Sequence, residues 1–505
     1  MIDILFIQPP FWGTVCPPLG LACLKAAANE RGLSTRCMDL NIKLYQFADK
    51  RFKRFWQLAQ GYNYCENPDD VFDFFQEYYA FIGAYLKEIV DMNPSQIWIT
   101  VQNSSSLFTS LLIQALGNRF PIYLGGPQIW QFEEEGVDIM AAFPGIRGYM
   151  TGEGEPEFLL RGLIGKTNSG RIKDLDKLPT PDFSDFQLGE YDHVGFLPIY
   201  FSRGCINKCI FCSERGLLGG RFRSRSGRRV FEDVEKLVKE YPRAYFFQFH
   251  DSVSNGDVAE LAVFCDLMIR SGLNKKIRWS MGNATIRKEM RKSFYEKLKK
   301  AGCSFIGYGL ETPVPRLLKS IGKHASVGVD VEDVVREGHD AGIKISLNFM
   351  FGLPGETEGD FKSMLEFLED NKDYIYQVNP ALNMCAFFPG SEGYKNPEKY
   401  GLILGHTPIS WSSSCNMYSM RYERFRKFVA KAKELKLRNF FGLVDLPSDP
   451  TSFNKLYYSD PMGMDLDKIP DGVWWYLRRT ISCFHGLIKK NLIGELRRKY
   501  YLWRT

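Results

Sequence analysis

Short apolar runs punctuate the chain, each closed by glycine, proline or a polar cluster and followed by a stretch with helical spacing. In the first third these runs fall at residues 2–7, 35–40, 96–101, 122–124 and 148–151. Pro17-Pro18-Leu19-Gly20 opens a helix with proline at its entry, and Leu21, Leu24, Ala27 and Ala28 supply its stripe. Strands alternating with helices predict an α/β domain over residues 1–165, a Rossmann-like, doubly wound parallel sheet. Ligands of such a sheet bind beyond the carboxyl ends of its strands. Residues 44–92 form an aromatic helical insertion carrying Phe52, Phe55, Trp56, Phe72, Phe74, Phe75, Tyr78, Tyr79, Phe81 and Tyr85. Those rings either pack on their neighbours or cap an apolar ligand.

Residues 166–195 lack a regular pattern, and Leu178-Pro179-Thr180-Pro181 marks an extended linker. A second array follows, with runs at 197–202, 244–249, 277–281, 305–309, 344–350 and 377–386 and helical spans such as 230–240 and 290–300 between them. Six strand–helix units over residues 196–405 predict a partial (β/α)6 barrel with its chemistry at the strand C-termini. Residues 406–505 turn helical and basic. In the tail at 471–505, Trp474, Trp475, Leu477, Phe484 and Leu487 interleave with Arg478, Arg479, Lys489 and Lys490. Such a helix either docks on its own protein or lies on an anionic membrane surface.

At 505 residues the chain is long enough for several domains, and 45% hydrophobic content supplies their cores. A net charge of +6 is mild for this size and gives no case for nucleic-acid binding. The first residues lack the basic start of a signal peptide, and no apolar run is long enough to span a bilayer. Twelve cysteines are too sparse for a disulfide scaffold, which points to a reduced, cytoplasmic protein.

Cys205, Cys209 and Cys212 stand at C-x3-C-x2-C spacing on the loop after the first barrel strand. Three thiolates so placed can hold three irons of a cubane cluster and leave the fourth open to a substrate or cosubstrate. A zinc site needs a fourth ligand, for which His250 is the candidate.

This trio, with Phe211 before its third cysteine, resembles the signature of radical S-adenosylmethionine (SAM) enzymes. Gly302 to Thr312 resembles the family's glycine-rich strand ending in glutamate. Gly352-Leu353-Pro354-Gly355-Glu356-Thr357 and Phe388-Pro389-Gly390-Ser391 resemble its later strand ends. The N-terminal domain, with Pro17-Pro18-Leu19-Gly20, Gly125-Gly126-Pro127 and Thr151-Gly152-Glu153-Gly154-Glu155, is similar to the cobalamin-binding domain of the cobalamin-dependent subgroup.

The resemblance implies that Cys205, Cys209 and Cys212 bind a [4Fe–4S] cluster whose open iron chelates SAM. Reductive cleavage then gives methionine and a 5′-deoxyadenosyl radical. It places Asp251 and Ser252 at the methionine ammonium, where the family often has Gly-Gly-Glu. Ser280, Asn283 and Glu311 go near the ribose, and Phe211, Phe351 and Gly352 near the adenine. Glu311 has a structural ion pair as its other reading. One of Arg215, Arg221, Arg223, Arg225, Arg228 and Arg229 is free to clamp the SAM carboxylate. Cobalamin contacts fall on Pro18, Leu19, Gly20, Gln102, Asn103, Ser104, Ser105, Gly125, Gly126, Pro127, Gly152, Glu153, Gly154 and Glu155. The first histidine is His193, so the domain has none to place under cobalt.

The implied activity is methylation of an unactivated carbon. The alternative is C–C bond formation, cyclisation or rearrangement without net methyl transfer and without need of cobalamin. The implied partners are a small-molecule or lipid-like substrate and a flavodoxin- or ferredoxin-type electron donor, with peripheral membrane contact through the tail. The catalytic residues stay unassigned.

Overall fold

The computed structural model describes residues 2–56, 65–155, 165–168, 170–380, 384–405 and 407–439. The tail at 471–505 lies outside them.

Strands β1 (Ile4–Gln8), β2 (Thr35–Asp39), β3 (Gln96–Thr100), β4 (Ile122–Gly125), β5 (Gly148–Thr151) and β6 (Gly165–Asn168) form one sheet in the order β2-β1-β3-β4-β5-β6. All neighbours in it are parallel. The strand order reverses at β1 and β3, where a crevice opens at the carboxyl edge. Five of these strands match the apolar runs. The sixth, β6, carries the sheet past residue 165, into what reads in the sequence as linker.

One face of the sheet, through Leu5, Ile7, Ile97, Ile99 and Leu124, packs against the aromatic insertion. Phe52, Phe55, Phe74 and Phe75 are buried there, and Phe11 stacks on Phe55 at 4.5 Å. Each such ring removed from water contributes about 2–3 kcal/mol, so these rings form a packing surface. The other face, through Ile4, Phe6, Trp98 and Tyr123, shares a continuous core with the barrel.

Residues 170–195 are a strap tied down on both sides. Asp182 and Asp185 pair with Lys25, Asp185 also with Arg36, and Tyr191 donates to Asp39 at 2.7 Å. Thr180 donates to Asp233 at 2.7 Å.

The second sheet runs β15-β14-β13-β12-β11-β10-β7. Its members are β7 (Phe196–Ile199), β10 (Phe246–Phe249), β11 (Arg278–Ala284), β12 (Cys303–Glu311), β13 (Lys344–Phe349), β14 (Gln377–Pro380) and β15 (Arg438–Asn439), and every neighbouring pair is parallel. Phe247, Phe249, Trp279, Met281, Ile345 and Leu347 are fully buried in the core shared with the helices, as in the contact of Phe249 with Phe264 at 5.7 Å. The barrel was expected to end at residue 405. Instead the helix Tyr418–Glu434 packs as a further crossover, and β15 pairs with β14.

Helix ends follow their local chemistry. Asp257 caps the helix Val258–Ser271 by accepting from Glu260 N, and Gly272 closes it at φ 77°. Thr357 and Asp360 form a reciprocal cap on Glu358–Asn371.

Candidate functional site

β7 delivers the chain to the cysteine loop at the carboxyl edge of the barrel. Ser202–Arg203 (β8) and Arg223–Ser224 (β9) pair antiparallel, so the loop is folded back on itself at its base. Gly204 sits at φ +80°, where an added Cβ would lie 2.4 Å from Arg221 O. Only glycine fits that approach. Asp251 pins the same base: Phe201 N donates to its Oδ1 at 2.8 Å, and Ser202 donates through both its backbone and its hydroxyl.

The middle of the loop is clamped from the opposite side. Lys208 N donates to Gly322 O and Ile210 N to Ile321 O, each at 2.9 Å, while Gly393 N donates to Ile210 O at 2.8 Å. Asn207 is buried, donates to Thr285 Oγ1 and accepts from Ala325 N, both at 3.1 Å. The half-buried Cys205, Cys209 and Cys212 therefore hang on a framework with fixed ends and a fixed middle.

Burial pushes the Cys209 thiol up to about 12, with Lys323 pulling it down and Glu311 and the other two thiols pushing it further up. Burial likewise raises Cys212 to about 11. Loading such a site with iron displaces thiol protons. Among the described residues no three His, Cys, Asp or Glu side chains converge on a single metal ion. The donor set, three thiols close enough to act on one another's protons with a lysine near Cys209, suits a multi-iron cluster, which spreads its ligands over several corners.

That lysine was missed from the sequence. Lys323 is buried and pairs with Glu311 Oε1 at 2.9 Å. Burial works against its ammonium, yet Glu311 and Cys209 hold the proton more tightly than usual. Glu311, at φ +65°, ends β12, and Gly309 leaves room for the pair: a Cβ there would lie 2.9 Å from Glu311 Oε1 and 3.0 Å from Lys323 Nζ. Both readings of Glu311 meet here, since it is ion-paired and stands beside the thiols.

The strand-end residues expected around SAM do gather on this edge, with some changed roles. Ser252 donates to Glu214 Oε2 at 2.7 Å, Asn283 donates to Asp251 O at 3.0 Å, and Ser280 is buried beside Gln248 in register. Phe211 is half-buried in the loop itself. Asp251, expected at an ammonium, uses Oδ1 to hold the loop base while Oδ2 has no partner among the described residues, and burial raises its carboxyl to about 6 against the pull of its donors. The Phe351 ring is fully buried 4.8 Å from Phe428, so it is core, leaving only its backbone near an adenine. Gly352 is glycine because a Cβ would lie 2.0 Å from Arg421 Cγ. Of the arginines, Arg223, Arg225 and Arg229 are paired with acids.

At the carboxyl edge of the first sheet the expected loops also line up. Gln102 to Ser105 forms a tight turn, with Ser105 Oγ accepting from Gln102 N at 2.9 Å and Ser104 donating to Phe11 O. Pro18, Leu19 and Gly20 start the helix Leu19–Glu30, with Gly20 open to solvent. Gly125 ends β4. Gly126 and Pro127 turn the chain into the next helix, and a Cβ on Gly126 would lie 2.8 Å from Val101 N.

Gly152 is exposed, and Gly154 packs on Leu24, 2.7 Å from where its Cβ would be. Glu153 and Glu155 are buried and do not face a ligand. Glu155 forks onto Arg203, and Glu153 onto Arg223. Burial disfavours the Glu153 carboxylate, but Arg223 and Arg203 hold it below its usual range. These pairs bolt the first sheet's edge to the base of the cysteine loop. Trp130 adds a second bolt, filling space that a Cβ on Gly216 or Gly390 would occupy at 2.5 and 2.3 Å.

Residues 199–368 match the Radical SAM superfamily. This segment is a radical SAM domain. It begins at the last residue of β7 and takes in the three cysteines, the Glu311–Lys323 pair and β13. Over 99% of both chains the protein is 25% identical to an uncharacterized methyltransferase of Pyrococcus horikoshii. It is 25% identical to bacteriochlorophyllide d C-8(2)-methyltransferase of Chlorobaculum tepidum over 42% of this chain and 47% of that one. Among solved structures, the radical SAM methyltransferase TsrM from Kitasatospora setae, with cobalamin and a [4Fe-4S] cluster bound, superposes with TM-score 0.57 at 16% identity over 99% of both chains. The cobalamin-dependent SAM radical enzyme OxsB superposes with TM-score 0.53 at 15% identity, over 86% of this chain and 62% of that one. The two-sheet fold, an open α/β sheet followed by a radical SAM barrel, is common to all three. Among the described residues no helix is long and apolar enough to cross a membrane.

Proposed function

We propose that the protein is a cobalamin-dependent radical SAM methyltransferase acting on an unactivated carbon. The observation that carries this is the joint between the two carboxyl edges: Arg203 and Arg223, at the base of the cysteine loop, are held by Glu153 and Glu155 from the loop after β5. When bound, the cluster with SAM supplies a 5′-deoxyadenosyl radical, and cobalamin supplies a transferable methyl group.

The chain's residues set the stage for both. Cys205, Cys209 and Cys212 hold the irons, and Lys323, paired with Glu311, sets a cation beside them to balance thiolate charge. Asp251 and Gly204 keep the loop from moving. The switch-point crevice at β1 and β3 offers the turn at Gln102 to Ser105 to a flat macrocycle, with hydroxyls and amides and no imidazole. That turn would meet bound cobalamin with amide and hydroxyl side chains of Gln102, Asn103, Ser104 and Ser105.

An external one-electron donor of flavodoxin or ferredoxin type would reduce the cluster. The basic, tryptophan-bearing tail at 471–505 would add peripheral contact with an anionic membrane. Flotation on anionic liposomes checks this, since equal binding with and without residues 471–505 removes it.

The main reading is tested by expressing the chain with ample cobalamin and assaying metals after anaerobic reconstitution. About four irons per chain, together with cobalt in equal amount to protein, are expected. A cobalt-free protein with full activity would contradict methyl transfer from cobalamin.

A further inference from the structure

Alternation along the barrel strands gives one face to the helices and leaves the other bare. On the bare face the register sets Gln248 beside Ser280, Gly307 beside Ser346, and Asn348 between Gly309 and Asn379. Glycine keeps this face open: a Cβ on Gly282 would lie 3.0 Å from Gln248 Nε2, and one on Gly307 would lie 2.5 Å from Gly282 O. Gln248, Asn348 and Asn379 are half-exposed and His250 is exposed, while their strand neighbours Phe247, Phe249, Leu347 and Val378 are fully buried.

The polar groups here are joined but not saturated. Asn379 Nδ2 lies 3.1 Å from Ser346 Oγ and 2.9 Å from Asn348 Oδ1, and His250 Nε2 lies 3.2 Å from Gln248 Oε1. Asn379 Oδ1 is sealed from water with no donor among the described residues. A buried acceptor left so is unfavourable until something donates to it. At the carboxyl edge Glu311 and Lys323 neutralise each other. Desolvation lowers His250 to about 4, so its imidazole is neutral at physiological pH and both donates and accepts.

We propose that the substrate presents an uncharged hydrogen-bonding group, a carboxamide, lactam or heterocycle with adjacent N–H and C=O, to Gln248, His250, Asn348 and Asn379. A carboxylate would bring an unpaired charge to a face whose described strand residues, Gln248, Ser280, Ser346, Asn348 and Asn379, carry no cation. An acyl chain would strand four polar side chains. This rests on the reading of the chain as a radical SAM enzyme whose substrate meets the barrel's bare face.

The test uses three probes of one shape, benzamide, benzoate and toluene, titrated into the cluster-loaded protein labelled with 13C-histidine. The reporter is the imidazole resonance of His250, assigned by its absence in His250→Gln. Benzamide is expected to shift it at a concentration at least tenfold below that needed for benzoate or toluene, and Asn379→Leu to raise that concentration at least tenfold. A silent benzamide titration, an equal response to toluene, or benzoate ahead of benzamide in the wild type overturns the proposal, whatever the variant does. Reductive cleavage of SAM by the wild type without probe is measured alongside. Its absence would remove the enzymatic reading while the order of the probes still decides this one.

Discussion

Lys323 shows how much one side chain adds to the cysteine trio. It stands 12 residues after Glu311, pairs with that carboxylate, and faces the thiols of Cys209 and Cys205. Removing one partner of a buried pair strands the other, at roughly 3–5 kcal/mol. Lys323→Met should therefore lower stability by about that amount and cut the iron retained after reconstitution, whereas Lys323→Arg should keep most of both. Chemical denaturation and iron assay of the two variants check this. His250 makes a pH prediction. Its folded pKa is depressed from 6.5 to about 4, so the unfolded chain binds the proton first. Stability should fall as pH drops from about 6.5 toward 4, and His250→Gln should flatten that slope in denaturation midpoints taken across the range. The cysteines could be read from spacing alone. Lys323 could not, because it lies in the turn after the helix Pro315–Ser320, and its partners come from the end of β12 and from the cysteine loop.

At the scale of elements, the loop depends on its base. Gly204→Ala places a Cβ against Arg221 O in a left-handed backbone, which costs about 1–2 kcal/mol before any clash is counted. Asp251→Ala leaves the N–H groups of Phe201 and Ser202 without their acceptor, at about 1–3 kcal/mol each. Both variants should fold with less iron per chain than wild type, measured by absorbance and iron assay. Apolar strands such as β1 and β3 announced themselves because both faces are covered, which gives near-continuous hydrophobic runs. β6 did not, since Gly165-Lys166-Thr167-Asn168 is a polar edge strand recognisable only by its pairing with β5. β15 is two residues long and has no pattern of its own. Asp251 and Gly352 stand out in the sequence as candidate SAM contacts, but the partners seen in the structure, Phe201 and Ser202 for one and Arg421 for the other, belong to tertiary structure.

Across the whole molecule, two sheets face their carboxyl edges toward one region and are held there by Glu153, Glu155, Arg203, Arg223 and Trp130. From sequence, Glu153 and Glu155 lay in a loop of ligand-binding type. Their arginine partners stand 70 and 48 residues further on, beyond any local pattern. Arg203→Gln should destabilise the joint by about 3 kcal/mol, since it leaves Glu155 buried without its partner. Glu155→Gln combined with it should recover part of that loss in a double-mutant cycle.

The loop of Cys205, Cys209 and Cys212 is expected to generate a radical from SAM at this joint. The most direct measurement is the 5′-deoxyadenosine formed when the reconstituted protein is reduced in the presence of SAM. Wild type is expected to form it, and the variant carrying Cys205→Ala, Cys209→Ala and Cys212→Ala to form none. Equal yields from the two proteins would contradict the account.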